Sequence, residues 1–371
     1  MSNAIQIAGA GPAGLAAAII LARAGCQVVV HEAHEEVGHR FQGDYQGLEN
    51  WSSKRDVLSF LKMLGLSTEF TAKPFYEGTA YDYLGNAYKI QNTKPLFYLV
   101  ERGPAPDTLD SCLYRQAVGH GVEVIFNSRL KHVSDLGILA AGPAVADAVA
   151  VGYHFETGLQ DGFWVICDDE IAPKGYAYLL VMKGRGTVKT CMFVDFKHEK
   201  HYVEKTVEAF RNLVGLDMIN PRFHGGSGNF RIPESAYSGP NPVIGEQAGF
   251  QDTLWGFGMR CAIHSGILAA HSLLEKKNYD VLWKRLLLPQ MQTSVVNRAI
   301  YSLLGNTGYR WLLRRWSGNP DVRHVLYKAY RPTFFKKCLL PWAQMRYASR
   351  FKDKSCNHVN CHCVWCRGKS R

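Results

Sequence analysis

The residues best spaced for chemistry lie at the two ends of the chain: a cluster of glycines near the N-terminus and four cysteines near the C-terminus. At the N-terminus an apolar run, Ile5 to Ala8, enters Gly9-Ala10-Gly11-Pro12-Ala13-Gly14. An Ala- and Leu-rich stretch then passes Ala18 and Gly25 and reaches Val28 to Val30, Glu32 and Ala33. This order predicts strand, tight turn, helix and second strand. Gly9 allows the turn, Gly11 lets a pyrophosphate approach the backbone, and Gly14 and Ala18 let helix and sheet pack closely. The helix N-terminus favours an anion, because its free N–H groups and dipole point there. Glu32 falls where a carboxylate accepts hydrogen bonds from both ribose hydroxyls, which argues against a 2′-phosphate. A Gly-rich turn in an ordinary α/β unit explains the glycines but not the acid, so the segment reads as a dinucleotide site.

At the other end Cys356, Cys361, Cys363 and Cys366 fall within eleven residues, with His358 and His362 beside them. Four thiolates satisfy a tetrahedral Zn²⁺, and a short segment with little core benefits from such a clip. The C-x4-C-x-C-x2-C spacing differs from the usual two-knuckle arrangement. An iron–sulfur cluster uses the same ligands, and a metal-free, redox-labile tail is the third reading. The other six cysteines (Cys26, Cys112, Cys167, Cys191, Cys261, Cys338) read as small buried hydrophobes rather than disulfide partners.

Several elements must position these groups. At 371 residues, 47% hydrophobic and 20% charged, the chain is long enough for two linked domains. No apolar run reaches the length of a membrane span, and no basic leader precedes the first strand, so the expected location is cytoplasmic. After a polar, Gly-rich loop a helix fits Asp56 to Leu66, and residues 70–99 alternate as strands of a second sheet. Helix and strand return at Thr108 to Phe126, and Leu136 to Pro143 reads as another buried strand. Strand-like runs fill 148–196, an amphipathic helix covers 201–215, and 242–274 reads as strand, Gly-rich loop and long helix. No second GxGxxG occurs; Gly184-Arg185-Gly186 is a turn among strands. The net charge of +11 is concentrated from Lys276 onward, interleaved with Trp and Tyr. That pattern fits an anionic membrane surface better than nucleic acid, and no nucleic acid is expected. Aromatics packing a helical domain with Lys and Arg on its wet face explain it equally well.

The order of elements, with three separated cofactor segments, resembles the flavoprotein superfamily of aromatic hydroxylases, and within it the geranylgeranyl reductase-like branch. The resemblance spans roughly residues 3–275. It rests on the Gly9-Gly11-Gly14-Glu32 signature, on Leu139-Ala140-Ala141-Gly142-Pro143, and on Val243-Ile244-Gly245-Glu246-Gln247-Ala248-Gly249 followed by Gly256-x-Gly258-Met259. It implies an α/β fold: a GR2-type FAD-binding Rossmann domain, an inserted antiparallel β-sheet substrate domain and a helical C-terminal region. The expected boundaries are 1–70, 97–147 and 224–275 for the FAD domain and 71–96 and 148–223 for the substrate domain. The basic helical region takes 276–350 and the Cys-rich tail 351–371.

The resemblance implies bound FAD, with Pro12, Ala13, Ala33, Gly142, Gly245, Gly256, Gly258 and Met259 lining it. Where the family carries Gly-Asp-Ala-Ala-Gly, this chain has Glu246-Gln247, so Glu246 is the candidate for the ribityl hydroxyl. Arg102, with Asp110, Leu113 and Ala117 downstream, and Arg40 are candidate cofactor contacts. Tyr176 and Tyr178, in a segment like the branch's cavity-lining aromatics, are candidate catalytic residues, with plain sheet packing as the alternative. His264 reads as structural. The halogenase tryptophan signature is absent. With no permanent nicotinamide domain, transient NAD(P)H is the expected reductant. The expected activity is hydride delivery to a C=C bond of an apolar, isoprenoid-like or lipid substrate. A monooxygenase acting on an aromatic or lipid substrate and a flavin electron-transfer protein are the rivals.

Overall fold

The computed structural model describes residues 4–133, 136–143, 146–230 and 232–348. In chain order the elements begin with β1 (Ile5–Ala8), α1 (Pro12–Arg23), β2 (Val28–His31), β3 (Asp44–Glu49), α2 (Val57–Met63), β4 (Ala72–Phe75), β5 (Glu77–Asp82) and β6 (Ala87–Gln91). There follow β7 (Phe97–Arg102), α3 (Leu109–Gly119), β8 (Glu123–Ile125), β9 (Gly137–Leu139), β10 (Ala148–Glu156), β11 (Gly162–Cys167), β12 (Tyr176–Met182) and β13 (Arg185–Met192). The remainder is α4 (Glu199–Val214), β14 (Ile219–Gly228), β15 (Tyr237–Ser238), β16 (Asn241–Pro242), α5 (Met259–Leu274), α6 (Tyr279–Leu286), α7 (Leu288–Ser317), α8 (Val322–Ala329) and α9 (Phe334–Ala348).

Two compact units result. The first comprises Met1–Lys73, Phe97–Ala144 and Asn229–Gln292. Its parallel sheet has the order β8-β2-β1-β9, extended by a parallel bridge from Leu139 to Val243. A small sheet of order β3-β7-β4 accompanies it. α1 starts with Pro12 in its first turn, where the missing N–H costs nothing, and its Ala, Leu and Ile side chains are buried almost all round. Such a helix must be covered on both sides, and α1 accordingly belongs to one core with α3, α5 and α6. Asp56 caps α2 by accepting from the Leu58 and Ser59 amides, and Thr108 caps α3 through Ser111.

The second unit comprises Pro74–Leu96, Val145–Gly228 and the chain from Thr293 onward. Its seven-stranded sheet runs β14-β10-β13-β12-β11-β5-β6. The inserted sheet is antiparallel as expected except for one parallel pair, β5 with β11. Odd-numbered residues of β10 and β12, among them Phe155, Ala177, Leu179 and Val181, pack with Val207 and Phe210 of α4. β14 is an edge strand unforeseen from its Pro- and Gly-rich sequence. An edge tolerates Pro221 because one side of the strand needs no partner. It carries the second unit to Gly228, past the expected boundary at 223.

The basic helices do not form a third body. α6 belongs to the core of the first unit, where Trp283 is fully buried. α7 breaks at Gly305, whose φ of 59° and ψ of −171° are open to glycine alone. On either side of that break it is fastened to the turn after β11. Tyr301 donates to the Gly175 carbonyl at 3.0 Å, Asn306 donates to Asp168 at 2.7 Å, and Tyr309 donates to Asp169 at 3.1 Å. Tyr301 and Tyr309 stack at 4.3 Å, and the Arg298 guanidinium lies 3.6 Å from the Phe193 ring centre. Many of the C-terminal aromatics are therefore packing residues, while Trp311, Phe334 and Phe335 face solvent. Of the six scattered cysteines, all free thiols, Cys112 and Cys167 are buried, Cys26, Cys191 and Cys261 are half-buried, and Cys338 is exposed, so the buried-hydrophobe reading fails for Cys338. No described helix is long and apolar enough to cross a membrane.

Candidate flavin site

The three cofactor segments meet at the carboxyl ends of the parallel strands, beside the point where the strand order reverses around β1. Gly9, at φ 113°, turns the chain out of β1 and donates to the His31 carbonyl at 2.8 Å. A Cβ on Gly9 would stand 2.3 Å from the Ala140 oxygen, and one on Gly14 would stand 2.0 Å from the Gly9 oxygen. Both glycines are thus required by protein packing. Gly11 differs: its backbone is extended, and a Cβ there would meet nothing within 4 Å. Bare backbone facing open space at the start of α1 is the cradle that a pyrophosphate needs, so the residues present fit a dinucleotide.

Glu32 holds this loop together. One carboxylate oxygen accepts from the Ala10 amide at 2.9 Å and the other from the His34 amide at 3.1 Å. The half-buried carboxylate therefore stands at the loop, with lone pairs left for a ribose. Ala33 follows it, half-buried.

The second and third segments are joined directly. Ala140 donates to the Ala8 carbonyl at 2.7 Å and Ile244 to the Leu139 carbonyl at 2.8 Å. The Gln247 side chain accepts from the Ala141 amide at 2.7 Å. The replacement of the family's Asp-Ala by Glu246-Gln247 thus has a local explanation on the Gln side. The Glu246 carboxylate accepts from Arg40 at 2.8 Å, and a Cβ on Gly142 would lie 4.0 Å from the same guanidinium. Arg40 therefore reaches Glu246 from 206 positions away in sequence. Gly245, at φ 61°, donates to the Ser265 hydroxyl at 2.9 Å.

Gly256, at φ 79°, and Gly258 lead into α5, whose first turn begins at Met259 without a side-chain cap. Gln251 donates to the Gly256 carbonyl at 2.6 Å, and Asp252 accepts from the Trp255 amide at 2.7 Å. The loop is braced from inside, and the helix start is left for an electron-rich group. Close packing of α5 on α1 sets its position: a Cβ on Gly266 would lie 2.1 Å from the Ala13 oxygen.

Arg102 is paired within the protein. It makes a two-pronged pair with Asp110, at 2.7 and 2.8 Å, and donates to Gln46 at 3.0 Å. Both partners of the ion pair are buried. Asp110 also accepts from the Gly103 amide, and both Arg102 and Arg40 stack on Phe41. The guanidinium thus braces β7 against α3. His264 packs edge-on against Phe60 at 5.3 Å, and burial, reinforced by the Arg260 charge, pushes its imidazole down to about 4.

Tyr176 and Tyr178 belong to the second unit. They share one face of β12 with Leu180 and Met182, the face opposite α4, and their rings are 6.1 Å apart. The strand register places Cys191 and Lys189 of β13 beside them, and Phe163 and Val165 of β11 on the other side. On the same face farther along, His154 stacks with His224 at 4.4 Å. Lys189 is 3% exposed, and neither it nor the two histidines stood out in the sequence. The alternation of Thr187, Lys189 and Cys191 along β13 is the one available signal, and it depends on knowing which face is which. Cys356, Cys361, Cys363 and Cys366 lie outside the described residues.

Comparison with known proteins agrees with this geometry. Residues 2–136 match the FAD-binding domain family. A search of curated proteins gives no match. Among solved structures, the chain is similar to a geranylgeranyl bacteriochlorophyll reductase-like protein from Thermoplasma acidophilum, with a TM-score of 0.71 at 17% identity over 94% of this chain and 97% of that one. It is also similar to a flavoprotein/dehydrogenase from Cytophaga hutchinsonii, with a TM-score of 0.62 at 13% identity over 92% and 98%. A flavin-dependent brominase gives 0.62 at 15% identity over 93% and 98%. At these identities the structures establish the fold, and the domain match establishes FAD. Residues 2–136 carry the FAD-binding domain, and the chain as a whole has the fold seen in the reductase-like, dehydrogenase and brominase flavoproteins.

Proposed function

We propose that the protein reduces a C=C bond of an apolar, isoprenoid-like or lipid substrate. The observation that carries this reading is the face of the second unit's sheet opposite α4. Phe163, Val165, Leu180 and Met182 make it apolar, and hydroxyls enter it from Tyr176 and Tyr178. The likeness to a reductase-like protein over nearly the whole of both chains supports the same class. FAD held in the first unit, and reduced in passing by NAD(P)H, would supply hydride chemistry. In unit one, Gly11 and the start of α1 would hold the pyrophosphate, Glu32 the ribose, and Gly256 to Met259 the flavin edge. In unit two, the apolar side chains would receive an apolar substrate and exclude water. The Tyr178 hydroxyl donates the proton that the second alkene carbon requires, with the Lys189 side chain directly across from it in the register.

Flavin reoxidation by an isoprenoid alkene under anaerobic conditions, giving the dihydro product, tests the reading. Tyr178→Phe then slows that reoxidation about 10²-fold or more while leaving flavin reduction by NAD(P)H unchanged. Substrate-coupled oxygen consumption with a hydroxylated product establishes the monooxygenase instead. One-electron exchange with a partner and no organic turnover establishes an electron carrier. For the tail, structural zinc on Cys356, Cys361, Cys363 and Cys366 is the proposal, and elemental analysis near one zinc per chain is the expected result. Iron with sulfide, or metal-free protein with all four thiols freely alkylated, overturns it.

A further inference from the structure

From the arrangement of α9 and the partition of charge along the chain, we infer that α9 is an interfacial anchor that lies on an anionic lipid surface. Phe334, Cys338, Pro341 and Met345 follow one another at i, i+4, i+7 and i+11, so they form one stripe along the helix. All four are exposed; Phe334 is 83% exposed and Met345 68%, and Phe335 on the stripe's flank is 67% exposed. The opposite side is the attached one, since Ala343 is fully buried and Leu339 and Leu340 are half-buried. The helix is thus apolar both where it is attached and where it faces out, and no acidic residue occurs between Asp321 and Asp353. A globular surface rarely leaves two adjacent phenylalanines and a methionine bare on one helix.

Charge complementarity identifies the occupant. Residues 276–371 contain 20 Lys and Arg against three acids (Asp280, Asp321 and Asp353), whereas residues 1–275 contain 23 against 29. The net positive charge of the whole chain therefore comes from this last segment alone. Arg331 and Lys337 are exposed beside the stripe. An apolar stripe flanked by cations matches the headgroup–acyl boundary of an anionic leaflet, where aromatic and aliphatic side chains enter the hydrocarbon and Lys and Arg reach phosphates. A second copy of the chain would bring the same positive segment to the contact and be repelled. The inference is independent of which reaction the flavin performs.

Vesicle co-sedimentation of the full FAD-loaded protein tests it. The probes are vesicles of phosphatidylcholine alone and of phosphatidylcholine mixed with phosphatidylglycerol. Binding is expected to the mixed vesicles, to weaken steeply with salt, and to fall about tenfold or more in Phe334→Ser/Phe335→Ser. The flavin content of that variant stays at the wild-type level, which separates loss of the anchor from loss of the fold. Equal binding to both vesicle types overturns the inference, as does binding that the double variant leaves unchanged. A salt-insensitive, concentration-dependent dimer that the double variant abolishes, with no vesicle binding, assigns the stripe to a second copy and overturns it as well.

Discussion

The flavin nest of the first unit and the tyrosine face of the second are built by opposite means. In the nest the chain is fixed by backbone. Gly9, Gly14 and Gly266 are places where one added carbon would strike a main-chain oxygen at 2.3, 2.0 and 2.1 Å. The tyrosine face is fixed by register: Tyr178, Lys189 and His224 come to one face only because β12, β13, β10 and β14 pair as they do. Backbone constraints leave a mark on residue type, since only glycine satisfies them. Register leaves none, because many residues suit a given position on a sheet. A cofactor common to many proteins suits the first kind of construction, and under the proposed function the substrate would meet the second.

The sharpest break of this comparison lies within the nest. Gly14→Val forces a side chain against the Gly9 carbonyl and is expected to cost on the order of 4 kcal/mol or more, enough to abolish soluble flavoprotein. Gly11→Val points into open space, so the protein should fold and yet hold no FAD. Denaturant melts and flavin absorbance of the two variants check this. FAD retained at the wild-type level in Gly11→Val would mean that the open space beside α1 is not the pyrophosphate cradle.

The next effect belongs to Arg102. Arg102→Met leaves the Asp110 carboxylate, 1% exposed, without its cation and should lower stability by about 3–5 kcal/mol. A direct cofactor role predicts instead a large loss of FAD affinity with stability unchanged. Chemical denaturation of the apo and FAD-loaded forms separates the two outcomes.

Residue type also explains what was legible. The strand–turn–helix from Ile5 to Arg23, the acid at Glu32 and the three converging segments could be read because glycine positions and an acid in register are specific. The pairing of Arg40 with Glu246 could not, because an ion pair between residues 206 apart has no local signature. The sequence does not separate the two roles of Arg102, since an arginine near a motif looks the same whether it faces a ligand or a buried aspartate. β14 escapes the sequence because an edge strand with Pro221 and three glycines lacks the alternation that marks a half-buried strand. The basic C-terminal stretch read as one region, whereas packing divides it, α6 joining one unit and the chain from Thr293 the other.

His264 supplies a smaller and reversible probe of the nest's packing. Its imidazole is held down to about 4 in the folded protein, against 6.5 when unperturbed. Between those values the unfolded chain takes up a proton that the native chain refuses. Stability is therefore fully present above pH 6.5 and declines as pH falls toward 4, by an amount approaching 3 kcal/mol, that is, about 1.4 kcal/mol for each pH unit. Urea midpoints across this range check the slope, and His264→Gln should remove it. A slope that survives the substitution would assign the acid sensitivity to other groups.

The smallest expected effect tests whether the two acid-and-arginine arrangements of the first unit differ in kind. Arg40 is 49% exposed and its partner Glu246 20%, so water screens the pair and its loss should cost under about 1 kcal/mol of stability. Yet Arg40 sits against Gly142 and Glu246 together, where the second and third segments approach. Arg40→Ala should therefore change FAD affinity more than it changes the apo protein's unfolding. In a double-mutant cycle with Glu246→Ala the two substitutions should be less than additive for affinity. An effect on stability as large as that of Arg102→Met, with FAD binding untouched, would make Arg40 a second structural brace. The carboxylate of Glu246 would then have no reason to stand where the flavin's ribityl chain is expected.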